Sequence, residues 1–427
     1  MASSQESTAR SSRFGTRHGI VGLCAGAMFI SYLDRVLMSV AIVPMATSYG
    51  WSDTTKGFVL SSFFLGYLLM QPPSGWLTNR LGGRLMMGLA VLCWSLCVIL
   101  TPIAAAISLP LLIATRVVMG FGEALTTPSI YYLFGRWLLP LERTRVVAFT
   151  MTGLPLGMMF GFVTLGELSD RFGWTAPFYI WGFAGLPFAA LWFWKVRDRP
   201  ALHPKISPSE LAALSADVPT EKTGPVPWRL LLTKSAVWAL VFNHFCSTWT
   251  LYLLLSWVPS YFMDVHQIGI AQSGLLSAAP WLSLVIFSNA GAIIADKLLR
   301  RGWSVTLVRK VMQVAGLLGS SAFLMGATQA TEAITAMIAL CGALGAIGLT
   351  WSGFAVNHLD IAPRYADVVH GITNTAGTIP GIVGVAVTGW LVETTGSYTS
   401  VFVVAAVISV AGAIVWILWG TGRRLID

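Results

Sequence analysis

GIVGLCAGAMFISYLDRVLMSVAIVPMA (residues 19–46) decides the fold. Its 28 residues contain only two charges, the adjacent Asp34 and Arg35. A helix of about 20 apolar residues crosses the ~30 Å hydrocarbon core of a bilayer, so this stretch reads as a membrane span. A second such stretch, LPLLIATRVVMGFGEALTTPSIYYLF (residues 109–134), carries Arg116 and Glu123. Each charge at mid-membrane costs about 2.5–3.5 kcal/mol, so four left alone would cost on the order of 10 kcal/mol. Arg116 and Glu123 are seven residues apart, two helical turns, which puts both on one face. Two cations and two carboxylates can neutralise one another in a buried cavity. They can also exchange that pairing for a proton and an anionic solute, which is the chemistry expected of a coupled anion carrier.

Composition agrees. Hydrophobic residues make up 55% of the 427, charged ones 11%, and mean hydropathy is +0.72, whereas soluble domains carry about 25% charge. Apolar windows fall near 19–47, 56–78, 85–107, 109–135, 146–166, 174–194, 236–262, 271–295, 304–327, 333–356, 368–392 and 399–420. The expected fold is an all-α polytopic membrane protein with 12 transmembrane helices in two pseudo-symmetric six-helix bundles. Its expected organisation is a cytoplasmic N-terminal tail (1–18), a first bundle (19–194), a cytoplasmic linker (195–234), a second bundle (235–420) and a short cytoplasmic tail (421–427). The linker is rich in Pro and charge, and its SPSELAAL portion reads as a capped amphipathic helix on the membrane surface.

The net charge of +9 resides in loops and so reads as topology, with no nucleic-acid partner implied. If the N-terminus is cytoplasmic, that side receives nearly every Lys and Arg, and the other keeps Lys56 and Arg171. The N-terminal MASSQESTARSSRFGTRHG reads as a cytoplasmic tail rather than a signal peptide, although its Ser- and Arg-rich composition faintly resembles a transit peptide. The absence of an Asn-x-Ser/Thr sequon and a short loop after the first span suit a bacterial inner (plasma) membrane. The five cysteines all lie in apolar spans and fit neither a zinc site nor a disulfide framework.

The two halves repeat. GWLTNRLGGR (residues 75–84) follows the second span and GAIIADKLLRR (residues 291–301) the eighth, with Gly75 and Gly291 216 residues apart. A duplicated six-helix unit is the architecture of the major facilitator superfamily, and these loops resemble its signature. The first copy has Asn79 where an acid usually stands, while Asp296 retains the acid in the second. Longer strings narrow the resemblance: YLDRVLMSVAIVPMA (32–46), RVVMGFGEALTTPSIYYLFGRWLLPLERTR (116–145) and GFAVNHLDIAPRYADVVHGITNTAGTIPGIVG (353–384). They look like the anion:cation symporter family, which holds bacterial sugar-acid symporters, sialin and the vesicular glutamate transporters. The resemblance runs from Tyr32 to about Gly389.

It implies that Arg35 holds the substrate carboxylate, that Asp34 takes part in proton coupling, and that Arg116 and Glu123 form the fourth-span pair. Leu60 and Ser247 stand where vesicular glutamate transporters have a histidine and an arginine, which argues against glutamate. A guanidinium fork suits Arg35 to a carboxylate, and Asp34 and Glu123 are the candidate proton carriers. Tyr32 and Tyr67 offer hydroxyls to a polyhydroxylated solute. Asn374, in a break-prone part of the eleventh span, could donate to it, and Trp351 could line the cavity. Most of the 18 tryptophans are expected at lipid or interface. His370 is a weaker candidate for proton relay, and His244 reads as core. Gly153, Gly157 and Gly161 are spaced for close helix approach. Arg80, Arg84, Asp296, Glu142 and Arg143 read as gating contacts.

No phosphate-cradling loop, metal spacing or nucleophile elbow occurs, so neither enzyme chemistry nor a cofactor is expected. The expected partners are a small organic anion, a proton and the lipid bilayer, with the chain working as a monomer. Rival readings are an uncoupled or exchange-type anion transporter and a non-transporting membrane sensor; the short tails leave no signalling domain for the latter.

Overall fold

The computed structural model describes residues 15–215 and 226–425, and every long element among them is a helix. The first fourteen residues of the tail, the middle of the linker and the last two residues lie outside that description. The first half of the chain supplies α1 (Thr16–Tyr49), α2 (Asp53–Leu81), α3 (Gly83–Ile107), α4 (Leu109–Glu123), α5 (Thr126–Trp137), α6 (Pro140–Met151), α7 (Gly153–Phe172) and α8 (Ala176–Lys195). The linker contributes two short helices, α9 (Pro208–Ser215) and α10 (Trp228–Thr233). The second half supplies α11 (Ser235–His266), α12 (Ile270–Arg300), α13 (Val305–Ala327), α14 (Ala333–Thr350), α15 (Val356–Ile361), α16 (Ala366–Thr395) and α17 (Tyr398–Trp419).

Among the described residues, ten helical stretches are long and apolar enough to cross a membrane. The other two expected spans, α2 and α11, have the length, at 29 and 32 residues, but are more polar. Gln71, Pro72, Pro73 and Ser74 lie within α2, and α11 carries Asn243, His244, Ser247, Thr248, Thr250, Ser256 and Ser260. A helix that turns polar side chains toward protein instead of lipid has this composition.

Two expected spans are each two helices. Residues 109–135 are divided between α4 and α5, and residues 146–166 between α6 and α7. Proline explains both divisions, because its ring clashes with the carbonyl four residues back. Pro128 acts on Ala124, where α4 has just ended, and Pro155 on Met151, where α6 ends. The expected break around Asn374 does not occur: α16 runs unbroken from Ala366 to Thr395 with Pro380 inside it. Thr375 and Thr378 hydroxyls donate to the carbonyls of Gly371 and Asn374 at 2.9 and 3.0 Å, so polar groups near the proline are satisfied within the helix. The second half is loosened elsewhere, in a π-helical turn at Trp351–Ala355 between α14 and α15.

By packing, the chain divides into two units. One contains α3–α6 and α8 with the first part of α1, the last part of α2 and the start of α7. The other contains α11–α17 with α1 from Arg35, α2 up to Leu68 and α7 from Met158. In the first unit α3 lies on α4, and α7 approaches α1 closely. A Cβ at Gly153 would meet the Ala25 carbonyl oxygen at 2.7 Å, and one at Gly157 would meet that of Phe29. Glu210 of α9 accepts the backbone N–H groups of Thr16 and Arg17, both at 3.1 Å. The linker helix therefore caps the positive end of α1. Ser207 caps α9 in turn, accepting from Glu210 N at 3.2 Å.

In the second unit α11 lies against α16 and α17, α12 against α14, and α13 against α14 and α17. The parts of α2 and α7 that belong to this unit are held by small residues. A Cβ at Gly57 would meet the Ala386 carbonyl at 3.0 Å, and one at Gly166 that of Ile270 at 2.9 Å. Lys56 is buried beside Asp53, reaches Asp264 at 3.5 Å, and lies 5.8 Å from the Trp257 ring centre. Tyr398 donates to the same Asp264 carboxylate at 2.9 Å, and Thr54 N donates to Glu393 at 2.8 Å.

Most of the tryptophans are exposed or half-buried, as expected, but some form core. Trp94, Trp137, Trp192, Trp257, Trp281 and Trp416 are fully buried. Four of these indoles donate to carbonyls of other segments: Trp137 to Arg197 at 2.8 Å, Trp192 to Arg84 at 2.9 Å, Trp257 to Val385 at 3.1 Å and Trp416 to Arg309 at 3.2 Å. A satisfied N–H lets a large ring serve as core.

The glycine contacts predict opposite effects at two positions. Gly157→Ala is expected to destabilise by about 1–3 kcal/mol, because the new methyl meets backbone. Gly19→Ala has open space around it and is expected to be neutral or to stabilise by up to ~1 kcal/mol. Thermal unfolding of the purified variants in detergent checks both, and equal midpoints would contradict the close approach of α7 to α1.

Candidate functional site

The charged residues singled out in the sequence are all buried: Asp34, Arg35, Arg116 and Glu123. In the first unit, Ser31 and Asp34 are one turn apart on α1 and face α4. The Ser31 hydroxyl donates to Glu123 Oε2 at 2.9 Å. The Asp34 carboxylate lies within electrostatic range of both Glu123 and Arg116, and neither of its oxygens accepts a hydrogen bond. Arg116 donates to the Met119 thioether at 3.1 Å. Arg116, Met119 and Glu123 thus follow the i, i+3, i+7 face that their spacing predicts. Glu123 is the last residue of α4, so its carboxylate sits where the helix gives way before Pro128.

In the second unit, Arg35 meets two rings of α2. Its guanidinium carbon is 5.1 Å from the centre of Phe63 and 4.8 Å from that of Tyr67. The two rings stack on each other at 6.0 Å. Tyr67 was expected to contribute its hydroxyl; its contact with Arg35 is through the ring face. Stacking places the face of the guanidinium against the two rings. Phe63 and Ser31 escaped the sequence reading. The i, i+4 pair of Phe63 and Tyr67 on α2 was the available signal for the first.

The remaining candidates are dispersed. Tyr32 is half-buried on α1, and Asn374 is half-buried on α16. Trp351 opens the π-helical turn and is partly exposed. That turn is braced from α13, because Gln313 accepts the Phe354 N–H at 3.1 Å and Arg309 donates to the Ser352 carbonyl at 3.1 Å. Arg309 also pairs with Asp360 at 2.7 Å, and Gln313 donates to Asn243 at 2.9 Å. The sequence reading missed this network. π-Helical turns recur at functional positions.

The repeated loops each turn on a glycine in a conformation open only to glycine, Gly82 at φ 93° and Gly302 at φ 86°. Asn79 lines an open cavity of about 360 Å³ with Thr78, Tyr131, Tyr132 and Arg136. Arg80 is exposed over the Trp76 ring at 5.2 Å. Arg84 donates to the Phe193 carbonyl at 2.6 Å. Asp296 is exposed and Arg143 half-buried. Glu142 accepts from Leu139 N at 3.1 Å, capping α6, and pairs with Arg17 at 3.3 Å.

Comparison with known proteins agrees with this architecture. The model of the Major Facilitator Superfamily matches residues 24–385. The sodium-dependent phosphate transport protein 1, chloroplastic, of Arabidopsis thaliana is 39% identical over 97% of this chain and 81% of its own length. The chloroplastic ascorbate transporter of the same plant is 38% identical over 97% of this chain and 77% of its own. The inward-open xylose transporter XylE from E. coli shares the fold alone: its TM-score is 0.75 at 14% identity, covering 96% of this chain and 98% of that one. The chain therefore belongs to the major facilitator superfamily, as a relative of its anion:cation symporters. It is a multi-pass membrane transporter of the secondary type and not an enzyme.

The site geometry separates two substitutions. Ser31→Ala removes the donor to a buried carboxylate and is expected to cost about 1–3 kcal/mol. Tyr67→Phe keeps the ring that Arg35 lies over and is expected to stay within about 0.5 kcal/mol of the parent. Unfolding midpoints of the two purified proteins check the ordering; a larger loss from Tyr67→Phe would mean that the hydroxyl, not the ring, holds Arg35.

Proposed function

We propose that this protein is a proton-coupled symporter that moves a small organic anion, a sugar acid or other carboxylate, into the cell. One observation carries the reading: Asp34, Arg116 and Glu123 are buried together. The two carboxyl groups lie within range of each other, and a proton held by either one offsets their repulsion. Protonation of the group leaves Arg35 to receive the solute's carboxylate. The two halves of the chain, 19–194 and 235–420, rock about this midplane site to give alternating access.

In this reading Arg35 is the principal ligand, joined by Arg116, Tyr32, Tyr67, Asn374 and Trp351, and Asp34 and Glu123 carry the proton. Arg80, Arg84, Asp296, Glu142 and Arg143 control the conformational change. The protein acts as a monomer in the inner (plasma) membrane with both termini cytoplasmic, in keeping with the Lys and Arg bias. The ascorbate transporter among the relatives supports an organic anion. A second reading, sodium-driven movement of phosphate, draws on the name of the phosphate-transporting relative.

Uptake into proteoliposomes separates the two. Labelled ascorbate, a sugar acid and phosphate are each presented under an imposed proton or sodium gradient. Accumulation of an organic acid driven by the proton gradient supports the proposal, and accumulation of phosphate driven only by sodium overturns it. Arg35→Lys is expected to weaken substrate affinity at least about tenfold, because an ammonium lacks the two-pronged geometry. Asp34→Asn is expected to retain exchange while losing proton flux. Affinity in the parent protein should strengthen as pH falls from about 8 to 5, because proton and substrate bind cooperatively. Affinity indifferent to pH over that range, in a protein that still accumulates solute, would exclude the coupling scheme.

A further inference from the structure

A cluster of three histidines in the second unit is not used by this scheme. His358 is buried on α15, His244 is buried on α11, and His370 is exposed on α16. The His370 ring centre is 5.2 Å from that of His358 and 6.2 Å from that of His244. The Phe354 ring, from the π-helical turn, lies 5.0 Å from His244 and 6.5 Å from His358. His244 Nδ1 is buried without a hydrogen-bond partner. Its ring is also pressed against α16, where a Cβ at Gly377 would meet Nε2 at 2.7 Å. Among the described residues there is no cluster arranged to hold a metal ion.

The hydrogen bonds of His358 are unusual in that both ring nitrogens face oxygen. Nδ1 lies 2.9 Å from the Ala355 carbonyl oxygen, and Nε2 lies 2.9 Å from the Thr373 hydroxyl. That hydroxyl is also 3.1 Å from the His370 carbonyl oxygen. A carbonyl oxygen only accepts, so Nδ1 carries a hydrogen in either charge state. In the neutral ring, the Thr373 hydroxyl donates to the lone pair of Nε2. In the charged ring, Nε2–H donates to Thr373 Oγ, and the hydroxyl hydrogen turns to the His370 carbonyl. Rotation of one hydroxyl therefore satisfies both states with no heavy atom displaced. A buried imidazolium is costly when its N–H groups lack acceptors; here each has one.

We infer that His358 is a second proton-binding site, lodged in the second half of the chain and reached through the exposed ring of His370. The proton enters from the side of the exposed His370 ring, and an N–H bond forms at Nε2 of His358 as the Thr373 hydroxyl hydrogen turns to the His370 carbonyl oxygen. The titratable groups facing His358 are His370 on α16 and His244 on α11. The charged groups of the neighbouring elements, Arg309 on α13 and Asp360 on α15, are paired with each other. The site's use in transport rests on the proton-coupled reading above; its existence does not.

The test is nuclear magnetic resonance of the full chain in lipid nanodiscs with isotope-labelled histidine rings, with His358 assigned by its loss in His358→Gln. The expected result is conversion of His358 from a neutral, Nδ1-protonated ring to an imidazolium as the pH falls from about 8 to about 4. Thr373→Val, which deletes the rotating hydroxyl, should abolish that conversion. A parent protein whose His358 stays neutral throughout the range would overturn the inference, whatever the variants do. Proteoliposome uptake is then read separately. Titration of His358 without proton-driven uptake would uphold the site and defeat the proton-coupled function. Proton-driven uptake with a neutral His358 would do the reverse.

Discussion

Everything in this molecule is arranged around the cost of placing Asp34, Arg35, Arg116 and Glu123 inside helices that cross a membrane. In lipid no water solvates a charge, and each backbone polar group must be satisfied locally. The chain meets the second demand with helices almost throughout and the first by turning its charged faces toward protein. Arg116 leans on Met119, Glu123 takes the Ser31 hydroxyl, and Arg35 lies over two aromatic rings. Asp34 lies within electrostatic range of both Glu123 and Arg116, so a change of charge on one of these groups is felt by the others.

Much of this was legible in the sequence. The span pattern, the paired halves and the family strings needed only apolar run length and a few motifs, because the bilayer makes those signals strong. Burial of the four charges followed from the same physics, since a charge facing lipid is not tolerated. What was not legible depends on particular neighbours. The π-helical turn at Trp351–Ala355 is marked by no proline and depends on Arg309 and Gln313 from α13, some forty residues earlier. Four of the six fully buried tryptophans donate to carbonyls supplied by distant segments. The divisions near Pro128 and Pro155 were not read from the sequence, and the break-prone stretch before Pro380 stays helical.

The small residues and the polar network near Lys56 point to a division of labour within the second unit. Gly57 and Gly389 bring α2 and α16 almost into backbone contact, and Lys56 bridges to Asp264 beside Tyr398. Such contacts join a segment of the first half of the sequence to the second. They combine close packing, which has no intermediate setting, with a partly exposed ion pair, which contributes little on its own. A contact of that composition is either made or absent. It holds one state firmly through fit, while the charged groups can be rehydrated when it parts. The histidine cluster is built on another plan: His358 accommodates a change of charge by rotating a hydroxyl, with the backbone unmoved. Packed glycines respond to conformation and the imidazole to protons, and both belong to the unit that also holds Arg35. A transporter that couples an ion to a conformational cycle needs elements of both kinds within reach of its anion site.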